Sequence, residues 1–163
     1  MTKVSSFISS GPTEDRQTSG QFSTFVVGDL MFGVDVLHVQ EVLCFQPMTS
    51  VPRAPSVIEG LINLRGQIVT AIDMRRRLRL PARTEDKPPM NIVVRTSDGA
   101  VSLMVDEIGD VLQLDESTYE RPPENLDGVA RELIRGVYKL KDRLLLILDE
   151  ERTADLTVGG TAQ

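Results

Sequence analysis

Short apolar runs separated by turn residues follow one another along most of this chain. QFSTFVV (21–27) and MFGVDV (31–36) are separated by three residues, and NIVVRT (91–96) and AVSLMV (100–105) are separated by three more. The second connection contains Asp98-Gly99, and Asp-Gly between apolar runs is a strong hairpin signal. Many short strands with little helical periodicity predict a mainly β protein built from small closed sheets.

Three other segments extend this pattern. LLLIL (144–148) is apolar without alternation, which predicts a strand covered on both faces. DMRRRLRL (73–80) predicts a short helix that begins at Asp73 as N-cap and stops before Pro81. VLHVQEVL (36–43) has helical spacing, so it predicts a short coil with His38 and Glu41 on the same side.

A tight hairpin is predicted in GLINLRGQIVTAID (60–73). Its two apolar runs meet at Arg65-Gly66, and a two-residue connection that ends in glycine supplies the positive φ a tight turn needs. Arg65 is therefore expected at an exposed hairpin tip. A charge at such a tip can simply keep a sheet soluble, since charged residues stay at the surface.

The chain resembles itself. FGVDVLHVQEV (32–42) aligns with VSLMVDEIGDV (101–111) at an offset of 69, and residues 60–73 align with GVYKLKDRLLLILD (136–149) at an offset of 76. FVV (25–27) also matches IVV (92–94). Three segments recurring in the same order indicate a duplicated unit.

This duplication sets the predicted domain organisation. We expect two five-stranded β-barrels, the first over 21–80 and the second over 90–155, joined by a linker over 81–89. The last strands of the chain could pack back on the first barrel. A unit this short buries little apolar surface, so we also expect a third apolar interface between the barrels. Polar sequence without periodicity predicts flexible tails over 1–20 and 156–163.

Most catalytic chemistry is excluded by the residue counts. The 163 residues include one cysteine, Cys44, and one histidine, His38, which leaves no basis for a disulfide, a Cys/His zinc cage or a cofactor site. Asp106 and Asp110 would have to act without histidine or metal, so an enzyme is not favoured. Cys44 follows an apolar residue and is expected to be buried. No apolar run is long enough to cross a bilayer, which favours a cytoplasmic protein without membrane insertion.

Charge is distributed unevenly. The net charge of −6 argues against a nucleic-acid binder, because such binding depends on phosphate neutralisation, and aromatic residues for base stacking are scarce. Residues 65–83 carry six arginines against Asp73, while residues 104–127 carry eight acids against Arg121. This asymmetry is consistent with docking of charged protein surfaces or with a solvated face.

The order GVDV, VQEV, a proline-bearing loop, NLRGQIV and a second copy ending in GVYKLKDRLLLILDEE resembles the CheW family of bacterial chemotaxis coupling proteins. It also resembles the regulatory domain of the kinase CheA, and the resemblance covers residues 21–155. It implies two packed SH3-like β-barrels without catalytic activity. The implied function is a scaffold that links the cytoplasmic tips of methyl-accepting receptors to the CheA regulatory domain, within membrane-associated arrays. An adaptor for a non-chemotactic receptor-kinase pathway is the alternative.

The resemblance also implies receptor-contact positions. Family positions fall on Val39, Glu41 and Arg65, with Gly66 forming the turn. Further contacts are expected from a groove between the barrels, at Ile92 and Val94 and at the corner formed by Ile108 and Val111. Glu107 departs from the family pattern, where relatives often carry a small residue such as glycine.

Two questions about the implied site stay open at the level of sequence. Arg65 could hold a carboxylate or helix-end carbonyls of a receptor with its planar fork, or it could pair with Glu41 inside the monomer. The duplicated barrels could also let the chain and the CheA domain alternate around closed rings.

Overall fold

The computed structural model describes residues 20–84, 87–126 and 128–156. The predicted tails lie outside this part of the chain, apart from Gly20 and Leu156. Within it, two antiparallel-rich sheets account for half of the residues, and helices are confined to short segments. The prediction of a mainly β fold with short helical segments is confirmed.

The larger sheet has six strands in the order β8-β1-β2-β11-β10-β9. Its sixth strand, β9, has only two residues, so the sheet has five full strands and a short edge. The strands are β1 (Gln21–Val27), β2 (Leu30–Asp35), β8 (Glu107–Gln113), β9 (Tyr119–Glu120), β10 (Ile134–Lys139) and β11 (Leu144–Leu148).

The smaller sheet has five strands in the order β3-β6-β7-β5-β4. Both of its hairpins fall where the turn residues predict them. The strands are β3 (Val39–Cys44), β4 (Ile58–Leu64), β5 (Gln67–Asp73), β6 (Met90–Thr96) and β7 (Gly99–Val105).

The two sequence halves exchange hairpins. The β1–β2 hairpin of the first half lies in the six-stranded sheet with β8, β10 and β11, and the β6–β7 hairpin of the second half lies in the five-stranded sheet with β3, β4 and β5. Equivalent strands pair in the same way. In the larger sheet β2 runs parallel to β11, and in the smaller sheet β7 runs parallel to β5. The division into 21–80 and 90–155 therefore marks the duplicated sequence units, and each sheet combines strands of both.

Among the residues that the structure describes, apolar side chains form three clusters. The largest lies between the sheets and includes Phe25, Phe32 and Leu103. A second cluster, with Ile62 and Val69, fills the interior of the five-stranded sheet, and a third fills the interior of the six-stranded sheet. The expected interface between the barrels is thus the main core, and each fully buried aliphatic side chain there stabilises the fold by roughly 1.5–3 kcal/mol.

The helical segments are shorter than the spacing predicts. VLHVQEVL forms a 3-10 turn only over Val36–His38, capped by the Asp35 carboxylate, and then becomes strand β3. The predicted coil with His38 and Glu41 on one side is wrong, because backbone pairing with β6 gives the segment a two-residue period. The α1 helix (Met74–Arg77) begins at Asp73 as predicted but ends at Leu78. The remaining helices are α2 (Gly128–Glu132), α3 (Glu150–Ala154) and a 3-10 turn over Glu116–Thr118.

Cys44 corrects another expectation. It is the last residue of β3, an edge strand, and its side chain is exposed. Burial is common for free cysteines, but an outward position at a strand end overrides that tendency. No helix in the described part of the chain is long and apolar enough to span a membrane.

Candidate partner-binding surface

The tip of the β4–β5 hairpin consists of Arg65 and Gly66, as predicted. Both have positive φ, 53° and 92°, which is the conformation that a tight two-residue hairpin turn requires. The side-chain oxygen of Asn63 accepts a hydrogen bond from the Gly66 backbone N–H at 2.9 Å. The turn therefore holds Arg65 outward, and 70% of its side chain is exposed.

Arg65 forms an ion pair with Glu41 on strand β3. Beside it, the Gln40 side-chain amide donates to the Gln67 side-chain oxygen at 3.2 Å. Because β3 and β4 are the two edges of the five-stranded sheet, these contacts tie one edge strand to the hairpin of the other. The ion pair within the monomer, one of the two alternatives for Arg65 at the level of sequence, is therefore present. An exposed pair of this kind stabilises the fold by only about 0–1 kcal/mol.

Exposed apolar side chains also occur on β5 and β3. Ile68 is 59% exposed, and Val42 is also exposed on β3. Neither was singled out from the sequence. The signal for Ile68 was present, because it lies on the outward phase of a strand whose neighbour Val69 is buried.

Val39 begins strand β3 and is half-buried against the core between the sheets. Arg95 fixes this position, because its guanidinium donates to the carbonyl oxygens of Leu37 and Val39 at 3.3 and 3.1 Å. Val39 thus offers a partner only part of its side chain.

Ile92 and Val94 correct the predicted contact set. Both are fully buried in the core between the sheets, and Val93 between them is buried on the other face. A central strand with neighbours on both edges and cores on both faces leaves no side chain for a partner. These residues support β3, with which β6 pairs, and do not contact a ligand themselves.

Ile108 and Val111 lie on β8, in the six-stranded sheet. They are the repeat equivalents of Val39 and Val42, and they share the same character: Ile108 is half-buried and Val111 is 57% exposed. Of the eight predicted residues, Val39 and Glu41 lie on edge strand β3 and Ile108 and Val111 on its repeat equivalent β8, whereas the other four lie at the β4–β5 turn and on β6. Glu107, the departure from the family pattern, is exposed and its carboxylate pairs with the Lys87 ammonium at 3.2 Å.

The arginine-rich segment is used largely inside the fold. Arg75 donates two hydrogen bonds to the Asp106 carboxylate at 3.0 and 2.7 Å, and Arg83 donates to the same group at 2.9 Å. Arg77 donates to the carbonyl oxygens of Thr153 and Arg152 in α3. The basic and acidic segments thus partly neutralise each other, which weakens the interpretation of the arginine run as a docking surface.

A groove of about 700 Å³ begins at Ile68, close to the hairpin tip in sequence. It lies between β5, the β6–β7 turn and α3. Its lining includes the apolar residues Ile68, Ala100 and Val101 and the polar residues Ser97 and Glu151, and the Glu151 carboxylate accepts from the Ser97 backbone N–H at 2.8 Å. This mixture of apolar and polar side chains is compatible with a protein-binding surface.

His38 contacts a buried acid on the C-terminal helix. Its Nδ1 lies 3.1 Å from the Glu150 carboxylate, and Arg135 donates to the same carboxylate at 3.2 Å. The hydrogen bond with Glu150 raises the pKa of His38 above 6.5, against the opposing effect of burial. Burial opposes ionisation of Glu150, but the bond from His38 and the charge of Arg135 leave its pKa below 4.5.

These two shifts predict how stability depends on pH. The His38 contribution is complete below pH 6.5 and is lost as pH rises through the raised pKa, and the Glu150 contribution is complete above pH 4.5 and is lost on acidification. We expect the pair to stabilise most between these values. Because the His38 side chain is 38% exposed, its effect on the melting temperature should not exceed about 4 °C. Melting curves at pH 5.5 and 8, with His38→Gln as control, test this. If the melting temperature of His38→Gln changed between these pH values as much as that of the parent, the prediction would be contradicted.

Comparison with known proteins places the chain among chemotaxis proteins. A family model described as CheW-like domain matches residues 21–157. The chain is 33% identical over 137 residues to the chemotaxis protein CheW of Klebsiella aerogenes, covering 83% of this chain and 82% of that protein. It is 32% identical over 143 residues to the chemotaxis protein CheW of Bacillus subtilis, covering 88% and 92%.

A solved structure has the same fold. The crystal structure of the scaffolding protein CheW from Thermoanaerobacter tengcongensis superposes with a TM-score of 0.76 at 28% identity, covering 84% of this chain and 93% of that one. The similarity spans both sheets and nearly all of the described residues.

Proposed function

This chain belongs to the CheW-like domain family and is a chemotaxis coupling adaptor; we propose that it joins methyl-accepting receptor tips to the regulatory domain of the histidine kinase CheA without catalysing a reaction. Recruitment to receptor arrays at the membrane follows from the same proposal. The family assignment supports the class of function, and the features of the surface support the choice of partners.

The observation that carries this proposal is the outward-facing Arg65. A positive-φ turn holds it at a hairpin tip, where it pairs with Glu41, and Ile68 on β5 and Val42 on β3 are exposed. A helical hairpin, which is the form of a receptor tip, presents apolar ridges flanked by charges. Apolar side chains beside an oriented arginine complement such a ridge, because the guanidinium can hold a carboxylate or helix-end carbonyls with two donors.

The adjacent groove extends this surface. Ile68, three residues after Arg65, lines the groove, so a partner that contacts Arg65 can continue along Ala100 and Val101. Glu41 is then available to a basic receptor residue once its internal partner is engaged elsewhere. The internal pair costs little to open, since it is exposed.

The kinase domain is assigned to the barrel ends. The two sheets are pseudo-equivalent but carry different side chains, so their ends can make different contacts with one CheW-like partner. Such heterologous contacts close into rings when the rotation allows, and many weak joints held at once strengthen each other. Hydrogen exchange should then slow at both barrel ends when the CheA regulatory domain is added; lack of protection at either end would contradict the ring.

Coupling itself is tested by bridging. An immobilised receptor tip fragment should retain the CheA regulatory domain only when this chain is added, because the adaptor must bind both partners at once. Surface plasmon resonance with sequential injection measures this directly. Retention of the kinase domain without the chain, or competition between the two partners for it, would contradict the proposal.

A further inference from the structure

A cavity of about 320 Å³ lies at the end of the six-stranded sheet where β1 begins and β2 ends. The rings of Phe22, Tyr138 and Tyr119 form a row in its lining, with successive centroids 5.5 and 5.3 Å apart and tilts of 55° and 57°. Ile147 and Leu148 of β11 add apolar surface. Tyr119 is 39% exposed, so the cavity can be reached from the surface on this side.

Most of the charged groups that line this cavity bind one another or the backbone. The Glu150 carboxylate lies 3.1 Å from His38 Nδ1 and accepts a hydrogen bond from Arg135 at 3.2 Å. The Asp35 carboxylate caps the 3-10 turn by accepting from the Leu37 backbone N–H at 2.9 Å. An occupant therefore meets mainly rings and aliphatic side chains, and such a surface favours an apolar side chain over a charged group.

The first described residue of the chain lies beside this cavity. Gly20 precedes Phe22 by two residues, and its carbonyl oxygen accepts a hydrogen bond from the Leu114 backbone N–H at 2.8 Å. Leu114 in turn lies two residues before Glu116, an exposed residue of the cavity lining. The N-terminal segment, residues 1–19, therefore joins the fold next to two parts of the lining.

The N-terminal segment carries an apolar pair within polar sequence. Phe7 is its single aromatic residue, and Ile8 follows it in SSFISS. Residues 9–19 have no aliphatic or aromatic side chain, and a random-coil connection of this length spans roughly 20 Å. Phe7 can thus reach the cavity, and a connection this short gives it an effective concentration there on the order of 1 mM.

The other sheet shows how a side chain from outside the strands can fill such a space. The interior of the five-stranded sheet is packed by residues of its own strands, including Ile62 and Val69. Met48, in the loop before β4, packs against the same cluster. Among the described residues, the six-stranded sheet retains its aromatic cavity, and the N-terminal segment is placed to supply the corresponding side chain.

We propose that the N-terminal segment folds back on its own chain and that Phe7 occupies this cavity, with its ring against Tyr119 and Tyr138. Aromatic rings favour tilted or offset neighbours with centroids about 4.5–7 Å apart, which is the arrangement already present in the row. A further ring extends that row and covers the apolar lining. This contact does not depend on which partners the adaptor binds.

Tyrosine emission tests occupancy, because the protein has no tryptophan and both of its tyrosines, Tyr119 and Tyr138, line the cavity. In the full-length chain, Phe7→Ser should raise the constant for quenching by acrylamide about twofold, since the tyrosine rings lose their cover. Phe45→Ser removes an exposed phenylalanine just after β3 and should leave quenching unchanged. Equal quenching of the parent and Phe7→Ser would overturn the proposal.

A spin label locates the segment. A nitroxide at Ser10→Cys, in a Cys44→Ser background that removes the exposed native thiol, should broaden the amide NMR signals of Tyr138 and Leu148. Adding Phe7→Ser should weaken this broadening at least about twofold. Spin-labelled chains mixed with isotope-labelled chains that lack the nitroxide should cause no broadening, because the contact forms within one chain. Broadening that Phe7→Ser leaves unchanged, or that appears in the mixed sample, would overturn the proposal.

Discussion

Arg65→Glu is expected to weaken capture of a receptor tip fragment at least about tenfold, while kinase-domain binding and the fold are retained. The change places two acids at the hairpin tip, where Glu41 now lies against Arg65. The receptor loses a bidentate donor and meets a repulsive charge, and like charges across an interface cost more than a lost contact. The fold loses only an exposed ion pair, so its melting temperature should change by less than about 4 °C.

A charge swap separates the two roles of Arg65. In the double variant Glu41→Arg with Arg65→Glu, the internal ion pair can form again with its charges exchanged. If the pair served only to join β3 to the hairpin, the double variant should bind the receptor like the parent. We expect capture to stay weak, because the tip still carries the wrong charge for the receptor.

A matched control is provided by the repeat. Lys141 is the equivalent of Arg65, at the exposed tip between β10 and β11. Lys141→Glu makes the same change of charge on the other sheet and should leave receptor capture at the parent level. The assignment of this surface to the receptor would be refuted if Arg65→Glu captured the receptor like the parent. It would also be refuted if Arg65→Glu and Lys141→Glu weakened capture equally.

Asp106→Ala is expected to destabilise the protein by about 2–4 kcal/mol. One carboxylate here binds Arg75 and Arg83 and also accepts a hydrogen bond from the Gly28 backbone N–H at 2.7 Å. It thus joins α1, the start of the linker and the β1–β2 turn to the end of β7. Removing it leaves two largely buried guanidinium groups without their counterion, which is costlier than losing the bonds alone.

Thermal denaturation measures this effect, with Glu107→Gln as control. Glu107 is the next residue in the chain, but its ion pair with Lys87 is exposed, so the control should change stability by less than about 1 kcal/mol. Burial opposes ionisation of Asp106, yet Arg75 and Gly28 lower its pKa below 3.8. Its contribution is therefore present above pH 3.8 and is lost on acidification, so the difference between parent and Asp106→Ala should shrink there. If Asp106→Ala lost no more stability at neutral pH than Glu107→Gln, this role of Asp106 would be refuted.

Local features of the fold could be predicted where a few adjacent residues allow only one backbone conformation. The Arg65-Gly66 turn, the Asp73 cap and the buried strand Leu144–Leu148 all depend on a few adjacent residues. Strand exchange between the halves could not be predicted. Strand β5 could pair in parallel with β2 of its own half or with β7 of the other half, and both pairings satisfy the same apolar pattern. Only packing of the complete chain selects β7.

The candidate site was predicted in part. Glu41, Arg65 and Gly66 come together, whereas Ile92 and Val94 lie inside the core. A continuous apolar strand gives no periodic signal for exposure, so the number of neighbours on each side decides burial. The site's contact positions were implied by resemblance, which carries over position in the sequence but not side-chain exposure.

The exchanged hairpins also determine when this protein can fold during synthesis. The first half contributes β3, β4 and β5 to a sheet whose central strands lie beyond residue 89, and β2 waits for β11 near the end of the chain. The five-stranded sheet cannot be completed until residue 105 has left the ribosome, and the six-stranded sheet waits for residue 148, near the end of the chain. Pairings this distant in sequence raise contact order, so we expect slow folding and a nascent chain that depends on chaperones to shield its unpaired edges.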